Sequence, residues 1–290
     1  MGSCVFRDYD QESLDRAFDQ RVWASNGQAM LARYHEAGKT VLKAGAHHAD
    51  LPYGDGPDER LDWFPAAHTL APVHLHIHGG AWRYLRKEDV AFAAAAFTGA
   101  GMHFVAPDFS ALPGRRLPDV VQQLVKAVQW VYVHAERYGG DANRLYLSGH
   151  SSGSHLCAVL LTLDWTEYGL PADVIKGGVC ISGIYDLAPV MLSARREYVQ
   201  LTAQEAYRLS PVEHVAGLNC PLSIIYAQGD SPEFQRQAKQ FHAAVAARGQ
   251  QPELVCAPGL NHYEIIGELP RLALASQAFS SSCGAAASIV

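Results

Sequence analysis

The sequence predicts a mostly parallel α/β sheet with helices on both faces, and three observations carry that prediction. Short apolar runs alternate with helix-periodic stretches along most of the 290 residues, the pattern of strands joined by crossover helices. A Pro-Tyr-Gly-Asp-Gly-Pro cluster at 52–57 is turn chemistry suited to an antiparallel start. A Gly-His-Ser-Ser-Gly segment at 149–153 forces a sharp turn between an apolar run and a helical one.

Taken in order, residues 11–38 place Leu14, Phe18, Val22, Met30, Leu31 and Tyr34 at helical spacings, so an amphipathic helical arm is expected, ending at Gly38 as a C-cap and packing over the body near the site mouth. Short β-like pieces follow over 40–64. Residues 73–78 read as a strand, 88–100 as a helix, 102–107 as a strand, and 118–138 as a long helix with Val121, Leu124, Val125, Val128 and Val131 on one side. Strands are expected at 145–148, 178–182, 221–228 and 253–257, with helices at 153–163, 232–248 and 269–279. The alternation lapses over 185–217, a strandless polar–apolar mixture too long for a connecting loop. It reads as an insertion over the carboxyl edge of the sheet, where such folds bind ligands. The low-complexity stretch 280–290 reads as a frayed tail. A single domain over 1–290 is expected, since a chain of this length can bury roughly three quarters of its unfolded surface.

Composition narrows the function classes. The chain carries 23 Lys and Arg against 29 Asp and Glu, a formal charge of −6 with no basic run, so neither a nucleic acid nor an anionic membrane is the expected partner. A small molecule is, and a homodimer stays open. The six cysteines, Cys4, Cys157, Cys180, Cys220, Cys256 and Cys283, form no Cys-x-x-Cys, which indicates neither a zinc cluster nor a disulfide framework. The N-terminus meets charge too early for a secretory signal, Phe6 breaks the myristoylation pattern, and no apolar run approaches a membrane span, so a cytoplasmic enzyme is expected.

Four constellations bear on chemistry. In the 149–153 turn the flanking glycines remove side chains that would collide, lifting Ser151 to the tip. The N–H of Ser152 then points to where an oxyanion would form. His78-Gly79-Gly80-Ala81-Trp82 follows a strand, and its paired glycines let backbone N–H groups approach a developing alkoxide beside the serine. Asp230, in Gln-Gly-Asp-Ser-Pro after the strand at 222–227, sits where a histidine-orienting acid is needed, with Ser231 as a helix cap and Glu233 as the alternative acid. His262 lies in a loop beyond the last strand, which completes the order serine, acid, histidine. His214 and His242 fall in the insertion and mid-helix. The alternating His74, His76 and His78 could offer two imidazoles to a metal, but no Cys, Asp or Glu cluster completes a ligand set, and no metal or organic cofactor is expected.

Together these residues resemble the α/β-hydrolase superfamily, and within it the hormone-sensitive-lipase-like branch that includes the arylformamidases. The likeness runs from Tyr53 to about Leu274 and is carried by His78-Gly79-Gly80-Ala81-Trp82, by residues 139–153, and by Ser-Gly-Ile-Tyr-Asp-Leu at 182–187. It implies an α/β-hydrolase fold with a small helical cap, a triad of Ser151, Asp230 and His262, and oxyanion donors at Gly79, Gly80 and Ser152. Ala81 stands where esterases of the branch usually carry a third glycine, and Trp82 is the formamidase-like choice. A bulky indole there would narrow the acyl side and suit a formyl group. Trp82, Tyr84, His155, Tyr185 and Tyr263 are candidates to line an aromatic leaving-group pocket, or to pack beside it. The expected reaction is hydrolysis of a small-acyl arylamide through an acyl-enzyme. A short-chain ester or carbamate hydrolase using the same residues, and a non-catalytic binding protein on this fold, are the alternatives.

Overall fold

The computed structural model describes residues 3–280; the tail expected to fray lies outside them except for Ser280. Eight strands form one sheet in the order β1-β2-β4-β3-β5-β6-β7-β8. β1 (His48–Pro52) and β2 (Arg60–Phe64) form the antiparallel start, and β2 runs antiparallel to β4 (His103–Pro107). β3 (Ala71–Ile77), β4, β5 (Gly140–His150), β6 (Ile175–Ile181), β7 (Leu222–Ala227) and β8 (Glu253–Ala257) are mutually parallel. The inner strands β3 and β4 are buried along their whole length, as strands covered on both faces must be.

Helices cover the two faces. α1 (Gln11–Phe18), α2 (Gly27–Lys43), α3 (Ala94–Gly99), α4 (Leu117–His134) and α5 (Ser152–Leu161) precede the insertion, whose helices are α6 (Ala188–Leu192), α7 (Arg196–Val199) and α8 (Ala203–Arg208). α9 (Pro232–Ala246), α10 (Glu264–Gly267) and α11 (Leu269–Leu274) close the chain. α4 shows why these segments are helical. Pro118 pre-sets the first turn, Asp119 complements the helix dipole, and Val121, Leu124, Val128 and Val131 turn one buried stripe to the sheet. Among the described residues no helix is long and apolar enough to cross a membrane.

Several elements differ from the sequence-based expectation; the helix expected at 269–279, for one, is α11 followed by a separate 3-10 turn, Gln277–Phe279. Gly38 does not cap its helix. α2 runs on to Lys43, and a Cβ at Gly38 would stand 2.3 Å from the carbonyl oxygen of Glu88, so this glycine permits close packing rather than termination. That extension replaces the β-like pieces expected from residue 40, and the first strand starts at His48. The helix expected at 88–100 divides into a 3-10 segment, Lys87–Ala93, and α3. Its first turn is pinned by the buried Lys87 ammonium, 2.9 Å from both Asp50 and Asp62 and 2.7 Å from Glu88.

The registers bring the site together. Ile77 pairs with Gly149, His150 with Ile181, and Ile181 with Ile225. The carboxyl ends of β3, β5, β6 and β7 therefore open onto one rim, with the residues that follow them side by side.

Candidate active site

The turn between β5 and α5 is set by its glycines. A Cβ on Gly149 would stand 2.1 Å from the carbonyl oxygen of Gly153, and one on Gly153 would stand 2.1 Å from that of Ile77. Only glycine fits. Ser151 between them takes φ 56° and ψ −121°, a conformation costly for any side chain but glycine and typical of functional turns. The hydroxyl so presented lines a cavity of about 500 Å³.

His262 Nε2 lies 3.0 Å from Ser151 Oγ, and His262 Nδ1 lies 2.6 Å from Asp230 Oδ1. The carboxylate fixes the tautomer: with Nδ1–H donated to Asp230, Nε2 is left to accept from the serine hydroxyl. Asp230 is itself held, since its Oδ2 accepts from Ser182 Oγ at 2.6 Å and from the Ala227 N–H at 2.9 Å. Ser151, His262 and Asp230 are 6%, 3% and 2% exposed, so the relay is shielded from bulk water, where such hydrogen bonds are strongest. His150 stands beside it, ring centroids 4.7 Å apart, and donates Nε2–H to the His262 carbonyl oxygen at 3.0 Å. Burial pushes the His150 imidazole far below its ordinary pKa, so it serves as a neutral donor.

The loop after β3 is pressed against this turn. Gly80, Ala81 and Trp82 take φ of 99°, 55° and 59° in succession, left-handed angles that cost the two residues with side chains and persist where the surrounding structure holds them. A Cβ on Gly79 would lie 2.9 Å from the His150 carbonyl oxygen and 3.3 Å from Ser151 Cβ. The Trp82 N–H donates to Ser152 Oγ at 3.0 Å, which staples the loop to the start of α5. Behind it, His78 contacts Asp108 at 3.2 Å, and Asp108 also pairs with Arg86 at 2.6 Å.

Of the aromatic residues expected in a leaving-group pocket, Tyr84 and Tyr263 line the cavity. Trp82, His155 and Tyr185 do not. The Trp82 indole is 1% exposed and donates to His155 Nδ1 at 3.3 Å, while His155 Nε2 donates to the Leu209 carbonyl oxygen. Tyr185 stacks on Phe241 with its hydroxyl against Ser154. These three are satisfied core residues beneath the loop, so the indole forms no wall on the acyl side. Glu233, the alternative acid, is occupied by Arg236 and Gln237. His74 and His76 both face the Ser148 hydroxyl at 2.7 Å, and among the described residues no three His, Cys, Asp or Glu side chains gather as a metal-ligand group.

Several residues escaped the sequence reading. Ser182 holds Asp230 from the end of β6, and only its place after a strand could have hinted at this. Arg195 and Tyr198 of the insertion line the cavity; Arg195 donates to the Phe18 carbonyl oxygen and lies over the Trp82 ring. No local pattern announces these contacts, because their partners are distant in sequence.

Comparison with known proteins places the chain in a family. Residues 63–174 match the BD-FAE family. Kynurenine formamidase of Salmo salar is 32% identical over 281 residues, covering 91% of this chain and 93% of its own. The chain belongs to the α/β-hydrolase family that contains the kynurenine formamidases. Kynurenine formamidase of Danio rerio is 32% identical over 245 residues, covering 79% of this chain and 82% of its own. A crystal structure from Silicibacter sp. TM1040 superposes with a TM-score of 0.79 at 24% identity, covering 89% of this chain and 94% of that one. The protein is thus a kynurenine formamidase-like serine hydrolase.

Proposed function

We propose that this hydrolase removes a formyl or similarly small acyl group from an aromatic amine. In this reading Ser151 Oγ attacks the acyl carbon as His262 Nε2 takes its proton and Asp230 holds the resulting imidazolium. Backbone N–H groups of Gly79, Gly80 and Ser152 stabilise the oxyanion. The Trp82 N–H is already given to Ser152 Oγ and plays no part there. His262 then protonates the departing amine, and water hydrolyses the acyl-enzyme by the same steps.

The observation that carries the reading is the continuous relay, 3.0 Å from Ser151 to His262 and 2.6 Å from His262 to Asp230. The formyl and arylamine assignment draws on the relatives named kynurenine formamidase. Release of the amine from an N-formyl arylamine, followed by absorbance, tests it. Ser151→Ala should cost about 10⁴-fold or more while leaving the fold intact; unchanged turnover would remove the assignment.

One observation favours a second reading, hydrolysis of short-chain esters. With the indole of Trp82 buried, steric narrowing does not select formyl over acetyl or butyryl. Comparing kcat/KM for N-formyl arylamines with that for p-nitrophenyl acetate and butyrate separates the two. A rate that falls with acyl length supports the formamidase reading, and one that rises from formyl to butyryl supports the esterase.

A further inference from the structure

The two loops that carry Asp230 and His262 are gripped from outside by the N-terminal arm, through two separate sets of polar contacts. On the acid loop, the Gln20 side-chain amide donates to Ser231 Oγ at 2.9 Å and its carbonyl oxygen accepts the Ser231 N–H at 3.2 Å. Ser231 Oγ in turn donates to the Ala17 carbonyl oxygen at 2.6 Å. Gln20 is 4% exposed although it borders the cavity that Ser151 lines, and its two-point contact is shielded enough that an unmade partner is costly. It fixes the residue directly after Asp230, on the side away from the contacts made by Ser182 and Ala227.

On the base loop, Asn26 Nδ2 donates to Glu264 Oε1 at 2.7 Å and Asn26 Oδ1 accepts from Asn261 Nδ2 at 2.9 Å. The Asn261 N–H donates to Glu264 Oε2 at 3.0 Å. These bonds close a ring of three side chains whose loop members, Asn261 and Glu264, bracket His262. The next residue of the arm is in close contact too: a Cβ on Gly27 would lie 2.7 Å from the Tyr263 ring. Neither Gln20 nor Asn26 reaches the reacting atoms of the relay.

From these contacts we infer that the arm positions the catalytic pair: Gln20 sets the acid loop and Asn26 the base loop, so that His262 stays within proton-transfer distance of both Ser151 and Asp230. The inference rests on the reading that Ser151, His262 and Asp230 act as a relay. A displacement of about 1 Å in such a relay costs up to about a hundred-fold in rate. Loosening Asp230 also weakens the bond that keeps His262 Nδ1–H on the carboxylate and Nε2 turned to Ser151.

The test uses the full chain and two readouts, the second-order rate of inactivation by a fluorophosphonate at neutral pH and the split between kcat and KM on p-nitrophenyl acetate. Gln20→Met keeps the side-chain volume and removes both hydrogen bonds; Asn26→Ala opens the ring at a residue outside the cavity lining. Each is expected to slow inactivation by about ten- to a hundred-fold and to lower kcat by a similar factor with KM within about two-fold of wild type, with the melting temperature still well above that of the assay. Should Gln20→Met not stay folded, Ser231→Ala removes the hydroxyl that Gln20 and Ala17 share and reads the same contact. A variant that keeps both the wild-type inactivation rate and the wild-type kcat overturns the role for the loop it touches. A loss carried by KM with kcat unchanged also overturns it, since that marks a contact with the substrate and not the positioning of the relay. Wild-type protein that fails to label at Ser151 would instead remove the underlying relay, so the two failures are distinct.

Discussion

Among the described residues the rim of the sheet holds two buried histidine–aspartate pairs, and they differ in what the second ring nitrogen faces. His262 meets Asp230 at 2.6 Å and His78 meets Asp108 at 3.2 Å. The carboxylates are used differently. Asp230 takes its other hydrogen bonds from a hydroxyl and an amide, Ser182 and Ala227, whereas Asp108 shares its charge with the Arg86 guanidinium at 2.6 Å. The second ring nitrogens differ more. His262 Nε2 faces the Ser151 hydroxyl, a group able to give it a proton; His78 Nδ1 faces the Gly79 carbonyl oxygen at 3.0 Å, which can only accept. An imidazole between two oxygen acceptors is a bracket, and here it secures the loop that begins at Gly79. Proximity to a carboxylate therefore does not make a general base; the third partner decides.

Substituting each aspartate separates the roles. Asp230→Asn should lower kcat by about 10⁴-fold with little change in folding, because the amide favours the wrong tautomer of His262. Steady-state hydrolysis of the N-formyl arylamine measures it, and a loss under ten-fold would return the two pairs to equal standing.

A wider contrast concerns the buried histidines with no carboxylate at hand. Burial drives His74 down to about 3 and His155 to about 4, and holds His76 and His150 well below the ordinary value. These groups stay neutral in the fold and gain protons in the unfolded chain. Their contribution is present above the unfolded pKa near 6.5 and is lost as pH falls below it toward the folded values. Each such group adds to the loss of stability as pH falls through that window, by on the order of 1 kcal/mol per pH unit. Urea midpoints measured from pH 7 to 5 should fall steeply, and a flat profile would mean that these imidazoles are solvated.

Asp108→Asn belongs to stability, the counterpart of Asp230→Asn. Replacing the carboxylate by an amide removes the charge that faces His78 and Arg86; Arg86 is largely exposed and keeps Glu88 at 3.8 Å, so the cost is about 2 kcal/mol. Chemical denaturation reads the loss, and Ser151 should still label with a fluorophosphonate. If labelling is abolished while the fold persists, His78 does more than secure the loop.

Much of this arrangement was legible in the sequence, for an identifiable reason. Turn and strand chemistry is local: the spacing of Gly149, Ser151 and Gly153, the paired glycines after β3, and an acid and a histidine just past late strands are each readable within five residues. With the parallel order of the strands, that places Ser151, Asp230 and His262 on one rim. Contacts made across the chain leave no such trace. Gln20 and Ser231 are 211 positions apart, and Ser182 reaches Asp230 across 48, with no periodicity to connect them. The reading of Trp82 and Tyr185 went astray for a related reason. An aromatic next to a site motif is equally compatible with the cavity and with the core, and the side chain's direction depends on backbone angles, such as the 59° φ of Trp82, that composition does not encode.

The smallest expected effect tests that last point. In Trp82→Phe a buried aromatic ring is kept, but His155 Nδ1 loses the indole N–H that it accepts at 3.3 Å. A buried acceptor left unmade costs about 1–2 kcal/mol, visible as a modest drop in the denaturation midpoint. The ratio of rates on formyl, acetyl and butyryl substrates should stay within about two-fold of wild type, because a ring 1% exposed beneath the loop touches no acyl chain, and even one methylene in a pocket is worth only about 1–3 kcal/mol of discrimination. A marked gain on butyryl substrates would put the indole back at the acyl wall, and with it the steric argument for formyl that the buried side chain now denies.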